Sequence, residues 1–215
     1  MTMTHAYARH YLDDAKKNLG CMMDYAVNDC HYDPDDFFSW FISSGISKSF
    51  EQANPKYICG MSGVELAWEI IYSVTGERID IMPTYPLMRS PEYWVGWIMA
   101  YYQWDRCVRF VEMKDYGLLP SKVLSMYILH EAPEEKFCDV ADDYIKRVKE
   151  QSPSKLSVIR KSRGLSQREL AESSGVALRM IQLYEQKQND ISKAQARTLA
   201  YLSAVLGCSI EDLID

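Results

Sequence analysis

The 215-residue sequence predicts an all-α protein with two domains, an acidic helical domain over residues 1–150 and a five-helix domain over residues 151–215. Apolar residues recur at helical spacing along most of the chain. Cap residues, glycines and prolines mark the ends of these periodic segments. The charge also changes at the boundary, because Lys and Arg number 15 against 23 Asp and Glu before it and 9 against 7 after it.

In the first domain, periodicity and caps predict helices at residues 4–30, 34–44, 46–53, 63–75, 91–110, 120–130 and 133–149. Asp33-Pro34 and Ser90-Pro91 each combine a cap residue with a proline at the first helical position. Residues 77–89 contain two prolines and are predicted to form a loop, with a short extended piece at Arg78–Ile81. Residues 150–154 are predicted to link the two domains.

The second domain carries clear helix-start signals. Ser166 and Glu169 form a capping box, and Ser174-Gly175-Val176 supplies a short turn before a helix over residues 177–186. Ile181 and Tyr184 are predicted to form the buried face of that helix. A helix over residues 194–206 follows, with a second capping box predicted at Ser192 and Gln195. Its predicted core stripe consists of Leu199, Leu202 and Leu206.

These segments resemble the Cro/repressor-type helix-turn-helix family, also called the xenobiotic-response-element family. The matching residues are Leu156, Ile159, Arg160, Gly164, Leu165, Ser166, Gln167, Glu169, Leu170, Ala171, Gly175, Val176, Ile181, Tyr184, Glu185, Ile191 and the closing run from Ser209 to Leu213. Tyr184 stands where the family more often has a tryptophan. The departure that matters is Lys187, which stands where a glycine usually ends the recognition helix in a left-handed conformation. The resemblance implies double-stranded DNA as the ligand and residues 177–186 as the recognition helix.

The resemblance and the geometry of the motif together predict which residues contact DNA. The helix that begins after Ser166 is expected to point at a phosphate. Arg179 is expected to bond guanine and Gln182 adenine. The full predicted set is Ser166, Gln167, Ala177, Leu178, Arg179, Gln182, Leu183, Lys187, Gln188 and Asn189. Arg160 and Arg163 are additional candidates for phosphate contacts. Alternatively, Arg179 and Gln182 are solvated polar residues on an amphipathic helix.

A second candidate surface lies on the aromatic helix predicted over residues 91–110. Trp94, Trp97, Tyr101 and Trp104 share one face there, and tyrosine and tryptophan are enriched at binding hot spots. Alternatively, these side chains pack the core of a small all-α domain. The first domain also resembles regions that accompany repressor-type motifs in bacterial toxin–antitoxin cassettes. That resemblance implies a cognate toxin as a partner.

The sequence predicts no metal, cofactor or catalytic residue. Its six cysteines form no paired metal-ligand spacing, and Cys30-His31 has no matching pair elsewhere. Adjacent carboxylates such as Asp13-Asp14 point to different faces of a helix and do not predict a two-carboxylate site. No apolar run approaches the roughly 20 residues that span a bilayer, and the N-terminus lacks the order of a secretory signal. We therefore expect a cytoplasmic protein with no membrane partner.

These patterns predict a sequence-specific transcriptional regulator, specifically a repressor that is also the antitoxin of a toxin–antitoxin operon. The motif class predicts a homodimer on an inverted-repeat operator. Three alternatives stay open. The first is a plain regulator whose first domain dimerises or binds an effector. The second is an enzyme brought to DNA by the motif, and the third is an interaction module that no longer binds DNA.

Overall fold

The computed structural model describes residues 5–84 and 88–214, and the residues in these two ranges form helices and loops with no β-strand. The all-α fold class is therefore confirmed. The chain divides into two compact units between Lys146 and Arg147, inside a long helix that ends at Gln151. The sequence-based boundary at residue 150 lies near the end of that helix. The loop predicted over residues 77–89 includes residues 85–87, which lie outside the described ranges.

The helices of the first unit are α1 (Leu12–Asp24), α2 (Pro34–Ser43), α3 (Ile46–Glu51), α4 (Pro55–Ile58), α5 (Gly63–Thr75), α6 (Pro91–Arg106), α7 (Phe110–Asp115), α8 (Pro120–Leu124) and α9 (Glu134–Gln151), the last of which crosses the division. Short 3-10 turns form at Arg9–Tyr11 and Tyr127–Glu131, and a π-helical turn at Tyr25–Asp29 continues α1. The predicted first helix thus begins later than expected, and the segment predicted as one helix over residues 120–130 is two short pieces. No strand forms at Arg78–Ile81.

Local caps explain where several of these helices begin and end. The Asp33 side chain accepts hydrogen bonds from two amides of the first turn of α2, and Ser62 forms a capping box with Glu65 at the start of α5. Helix α6 ends four residues before the predicted end at residue 110, because Cys107 adopts a left-handed conformation with φ 53°.

Helices α1 and α6 pack along each other at the centre of the first unit. Glycine permits this close approach, because a Cβ atom on Gly96 would collide with the backbone carbonyl of Leu19. A Cβ atom on Gly20 would likewise press against the Tyr93 ring. Helix α6 is buried on most of its circumference, and its ten buried residues include both aromatic and small side chains. It therefore serves as the central helix of this unit.

The second unit contains α10 (Lys155–Ser162), α11 (Gln167–Ser174), α12 (Leu178–Glu185), α13 (Ala196–Leu206) and α14 (Ile210–Leu213), with a 3-10 turn at Ile191–Lys193. These are the five predicted helices in the predicted order. The core consists of Leu156, Leu170, Ile181, Tyr184, Ile191, Leu199, Leu202, Leu206 and Leu213. The predicted stripe on α13 and the predicted buried face of α12 are both confirmed.

The capping box predicted at Ser192 and Gln195 is wrong. Ser192 lies inside the 3-10 turn, where its amide and its hydroxyl both donate to the Asp190 carboxylate. Helix α13 begins only after Gln195, whose side chain makes no capping bond. The predicted linker is also shorter than expected, since α9 extends to Gln151 and Ser154 already caps α10.

Within the described ranges, none of the helices combines the length and apolar character that crossing a bilayer requires. The same residues contain no group of three His, Cys, Asp or Glu side chains arranged to hold a metal ion.

Candidate nucleic-acid interface

The two helices of the motif are joined as the sequence predicted. The Ser166 amide donates to Glu169 Oε2 at 2.7 Å, and the Glu169 amide donates to Ser166 Oγ at 3.1 Å, which completes the capping box. These bonds from Ser166 lower the pKa of the Glu169 carboxyl. Gly175 ends α11 in the left-handed conformation with φ 68°, and α12 begins three residues later. Local signals therefore position α12 relative to α11.

A buried ion pair ties α12 to α10. The Arg160 guanidinium donates to both carboxylate oxygens of Glu185, with Nε–Oε1 at 2.5 Å and Nη2–Oε2 at 2.9 Å. Arg160 also donates to the carbonyl of Leu165, and the Gln167 carboxamide donates to Glu185 Oε2 at 2.8 Å. The Arg160 and Glu185 side chains are only 8% and 5% exposed. The pair therefore holds the end of the recognition helix against the rest of the unit.

This ion pair perturbs the Glu185 carboxyl in two opposing ways. Burial alone would raise its pKa, because the charged form loses hydration. The hydrogen bonds from Arg160 and Gln167 outweigh that effect and lower the pKa below its usual value. Glu185 is therefore charged at neutral pH and holds its two partners in place.

The phosphate contact predicted for Arg160 is wrong, whereas the one predicted for Arg163 stays a prediction. Arg160 is buried in the ion pair and has no access to a DNA backbone. Arg163 donates from Nε to the Leu206 carbonyl at 2.9 Å and from Nη2 to the Gly207 carbonyl at 3.2 Å. A cation at these carbonyls satisfies the C-terminal end of α13 and complements its dipole. Arg160 is thus structural, and Arg163 caps the end of α13 while it stays exposed.

The N-terminus of α11 leaves amide donors for a ligand. An α-helix begins with four N–H groups that lack intrahelical acceptors. The capping box satisfies those of Ser166 and Glu169, which leaves the amides of Gln167 and Arg168 at the helix end. Two such amides at the positive end of a helix dipole form a suitable site for a phosphate oxygen. The amide of Arg168 was not among the predicted contacts.

The predicted base-reading residues lie between the N-cap of α12 and its second turn. Ala177, Leu178 and Arg179 are exposed, whereas Gln182 and Leu183 are half-buried. Arg179 and Gln182 are three residues apart and share a face, opposite the side that Ile181 and Tyr184 bury. Among the residues that the structure describes, Arg179 makes no salt bridge. Its guanidinium is therefore available for a ligand while its helix is held rigidly.

The segment after α12 turns back sharply at Lys187. Lys187 has a left-handed backbone with φ 54°, so a lysine adopts the conformation for which the family favours glycine. The amides of Gln188 and Asn189 then donate to the Leu183 carbonyl at 3.0 and 3.2 Å. The Lys187 ammonium donates to the Lys149 carbonyl at 2.6 Å. Gln188 and Asn189 are exposed beside the recognition helix, as their predicted phosphate contacts require.

The second predicted surface, on α6, consists of Trp94, Trp97, Tyr101 and Trp104. Tyr101 and Trp104 are only 6% and 3% exposed. The Trp97 indole donates to Glu134 Oε1 at 2.5 Å, and the Trp104 indole donates to the Tyr7 carbonyl at 2.8 Å. Because half of this set is buried inside its own unit, the contacts favour the core alternative over a partner surface.

The sequence analysis did not predict that Glu185 binds Arg160 and Gln167, although all three residues match the family. Arg160, Gln167 and Glu185 all belong to the residues that carry the family resemblance, yet they lie up to 25 positions apart. Only the fold brings them together around one carboxylate. Their shared role is to position α11 and α12, and the surface that faces a ligand is formed by the residues between them.

Comparison with known proteins identifies the same part of the chain as a helix-turn-helix. Residues 156–213 match the helix-turn-helix family, a match that includes α11, α12 and the helices that pack on them. No curated protein and no solved structure matches the chain significantly. Over residues 156–213 the chain thus carries a helix-turn-helix domain, the sequence-specific DNA-binding unit of a transcription regulator.

Proposed function

We propose that the protein is a transcriptional repressor that binds an inverted-repeat operator as a dimer. The observation that carries this proposal is the first turn of α12, where Arg179 is exposed and makes no salt bridge to another described residue. The opposite side of the helix is buried, and the helix ends in the Arg160–Glu185 pair. A rigid helix with an available guanidinium is what a bidentate contact to guanine requires.

Two features on either side of α12 support docking of that helix in the major groove. The amides of Gln167 and Arg168 at the start of α11 can hold one phosphate, and the exposed Gln188 and Asn189 can hold another. Such contacts on the two sides of a recognition helix set its register on the duplex without reading sequence. Arg179, Gln182 and Leu178 then supply the specificity.

The charge distribution supports a site-specific protein rather than one that coats DNA. Residues 152–190 contain seven Lys and Arg against four Asp and Glu, whereas residues 1–151 carry eight more acidic than basic residues. The acidic majority of the chain lowers affinity for arbitrary phosphate backbones. One recognition helix contacts few base pairs, so a dimer on two half-sites provides the required specificity.

The direct test is selection of binding sites from random duplex DNA at about 150 mM salt, where non-specific binding is weak. The proposal predicts two inverted half-sites with centres about 10 base pairs apart, followed by a footprint of both on natural DNA. Recovery of no shared sequence, or binding that ignores sequence at that salt concentration, contradicts it.

Repression is tested separately from binding. A reporter is placed under a promoter that overlaps the selected operator, and its output is measured with and without the protein. We expect lower output with the protein, because an operator-bound dimer blocks polymerase. Higher output would make the protein an activator and would leave the binding assignment intact. This proposal places the protein in the cytoplasm with its DNA and assigns it no catalytic residue.

An antitoxin role is a second candidate, with a toxin bound by the first unit. The acidic excess of that unit favours a basic protein partner, because opposite charges speed association and discourage wrong partners. The test is co-expression with the product of the adjacent reading frame. Stable co-purification together with rescue of growth supports the role. Absence of toxicity in that product leaves a plain repressor.

A further inference from the structure

A cavity of about 720 Å³ lies in the first unit between α1 and the beginning of α5. Four residues of α1 line it at intervals of three or four positions, which places them on one face of the helix, namely Asp14, Lys17, Asn18 and Cys21. Residues 59–65 and Arg89 also line it. Pockets that hold small molecules have volumes of about 300–1,000 Å³, so this cavity is large enough for such a ligand.

Asn18 supplies a hydrogen-bond acceptor to this cavity from a largely buried position. Its side-chain nitrogen donates to the carbonyls of Ile58 and Met61 at 2.6 and 2.9 Å, which fixes the orientation of the carboxamide. The residue is only 8% exposed, and its Oδ1 atom accepts no hydrogen bond from any residue that the structure describes. Because buried polar atoms are nearly always hydrogen-bonded, this oxygen favours a ligand that carries a donor.

Three carboxylates in the lining of the cavity are engaged in hydrogen bonds within the protein. The Ser90 hydroxyl donates to Asp24 Oδ1 at 2.5 Å, and the Thr84 hydroxyl donates to Asp29 Oδ1 at 2.6 Å. Glu65 belongs to the capping box of α5. These carboxylates hold the walls of the cavity together and are therefore less available to a ligand.

Three other charged side chains of the lining form no salt bridge with a residue that the structure describes, namely Asp14, Lys17 and Arg89. The Arg89 guanidinium lies 4.4 Å from the centre of the Tyr93 ring, a contact that leaves its positive charge without an anionic partner. Burial raises the pKa of the Cys21 thiol, and Arg89 and Lys17 partly oppose this increase, which places both cations near that thiol. The cavity therefore has a cationic side around Cys21.

The acceptor side and the cationic side of the cavity are close together. Asp14 lies four positions before Asn18, so these two acceptors share a face of α1. Asn18 and Cys21 both pack against Gly63, since a Cβ atom there would lie 2.4 Å from the Asn18 carbonyl oxygen and 2.5 Å from the Cys21 Cβ atom. The amides of Gly63 and Val64 begin α5 at this point and lack intrahelical acceptors. A ligand that carries a positive and a negative group close to each other complements both sides.

We propose that this cavity binds a free α-amino acid. The ammonium group of the ligand donates to the Asp14 carboxylate and to Asn18 Oδ1. Its carboxylate accepts charge-assisted hydrogen bonds from Lys17 and Arg89. A phosphorylated ligand fits less well, because four carboxylates and two cations are present among the described residues of the lining. The site lies entirely in the first unit, so the inference does not depend on the proposed function.

The first test compares the melting temperature of the full chain with and without a mixture of the common L-amino acids at about 1 mM each, because a ligand of the folded state raises that temperature. Each amino acid that raises it is then titrated alone by isothermal calorimetry. Two derivatives serve as controls, the N-acetyl amino acid, which lacks the ammonium charge, and the amino acid amide, which lacks the carboxylate. We expect the dissociation constant to rise at least about tenfold for each derivative, since each loses charge-assisted bonds.

Variants of exposed residues test the two sides of the cavity separately. Asp14→Asn should lose most of the preference for the amino acid over its N-acetyl derivative. The double variant Lys17→Gln with Arg89→Gln should lose most of the preference for the amino acid over its amide. The matched control, Lys136→Gln with Lys146→Gln, removes the same charge from α9 outside the lining and should bind as the wild type does. Far-ultraviolet circular dichroism confirms that each variant is folded.

Alkylation of two exposed cysteines locates the bound ligand. Cys59 lines the cavity and Cys107 does not, and their sulfur atoms lie 3.5 and 4.0 Å from a backbone carbonyl oxygen. A saturating concentration of the amino acid should slow the reaction of Cys59 with iodoacetamide, because the ligand covers that wall. The rate at Cys107 should stay unchanged, as measured by mass spectrometry of the digested protein.

Three results would overturn the inference. The first is that no amino acid raises the melting temperature or binds in the calorimeter. The second is that the N-acetyl and amide derivatives bind as tightly as the amino acid itself. The third is that the bound amino acid leaves the alkylation rate of Cys59 unchanged. Each of these results leaves the repressor assignment intact, because that assignment is tested on DNA.

Discussion

Helices α6 and α12 both carry a face that the sequence predicts to be a binding surface. The fold leaves this face exposed on α12 and buries half of it on α6. On α12, Arg179 stays exposed because the helix packs through one side only, formed by Ile181 and Tyr184. On α6, Trp104 and Tyr101 are buried because neighbouring elements cover most of the helix. Aromatic content alone therefore does not identify a binding face. The number of sides that neighbours cover decides whether a helix is exposed.

The largest effect that tests this contrast is expected from Trp104→Ala. Removal of a buried indole leaves a cavity, and we expect a loss of about 4 kcal/mol in the free energy of unfolding. The measurement is chemical denaturation followed by circular dichroism. As a control, the conservative variant Trp104→Phe should recover most of that stability. A Trp104→Ala protein with wild-type stability would return α6 to the candidate binding surfaces.

The next largest effect is expected where the recognition helix is anchored. Arg160→Met leaves the buried Glu185 carboxylate without its cation, and we expect a loss of about 3 kcal/mol at neutral pH. The pH dependence provides a second readout. In the wild type the pKa of Glu185 is lowered, so its stabilising contribution is present above the ordinary glutamate pKa of 4.5 and is lost as the pH falls through the lowered value.

In Arg160→Met the pKa of Glu185 shifts in the opposite direction, because an unpaired buried carboxylate has a raised pKa. Protonation then relieves the penalty, so the stability difference between variant and wild type should be largest at pH 7 and smaller at pH 4. A difference that is independent of pH would mean that the ion pair does not act through the charge of Glu185.

A smaller effect, in binding rather than stability, is expected from Arg179→Ala. Loss of one bidentate contact to guanine should cost about 2 kcal/mol on the selected operator and relax specificity at a single base position. The matched control is Arg197→Ala on α13, which removes the same charge from a residue that stacks on Tyr201 outside the predicted contacts. Equal losses for both variants would indicate a general charge effect and no base reading.

The smallest effect is expected from Lys187→Gly. A non-glycine residue in the left-handed region is strained, so the free energy of unfolding of Lys187→Gly should exceed that of Lys187→Ala, which loses the same bond to the Lys149 carbonyl, by about 1 kcal/mol. Loss of the ammonium should at the same time weaken DNA binding if Lys187 contacts a phosphate, as the sequence predicted. Lys187→Ala separates the two effects, because it removes the charge and keeps the strain.

The sequence by itself determined the helix-turn-helix unit in detail. Ser166, Glu169 and Gly175 act through bonds to residues at most a few positions away, so their effect on helix ends can be predicted from the sequence alone. The apolar positions of α12 and α13 were predicted for the same reason, since helical periodicity is a local property. In the first unit, local caps likewise predicted the starts of α2, α5 and α6.

Only the tertiary structure decided which side chains are available to contact a ligand. It placed Arg160 and Arg163 in hydrogen bonds to residues 25 and 43 positions away, and it buried Tyr101 and Trp104 on α6. It also gave Lys187 the conformation of the expected glycine, and it left Trp68 and Tyr72 exposed on α5. Helical spacing predicts which face of a helix is apolar, but how many sides of that helix are covered depends on what packs against it from distant parts of the chain.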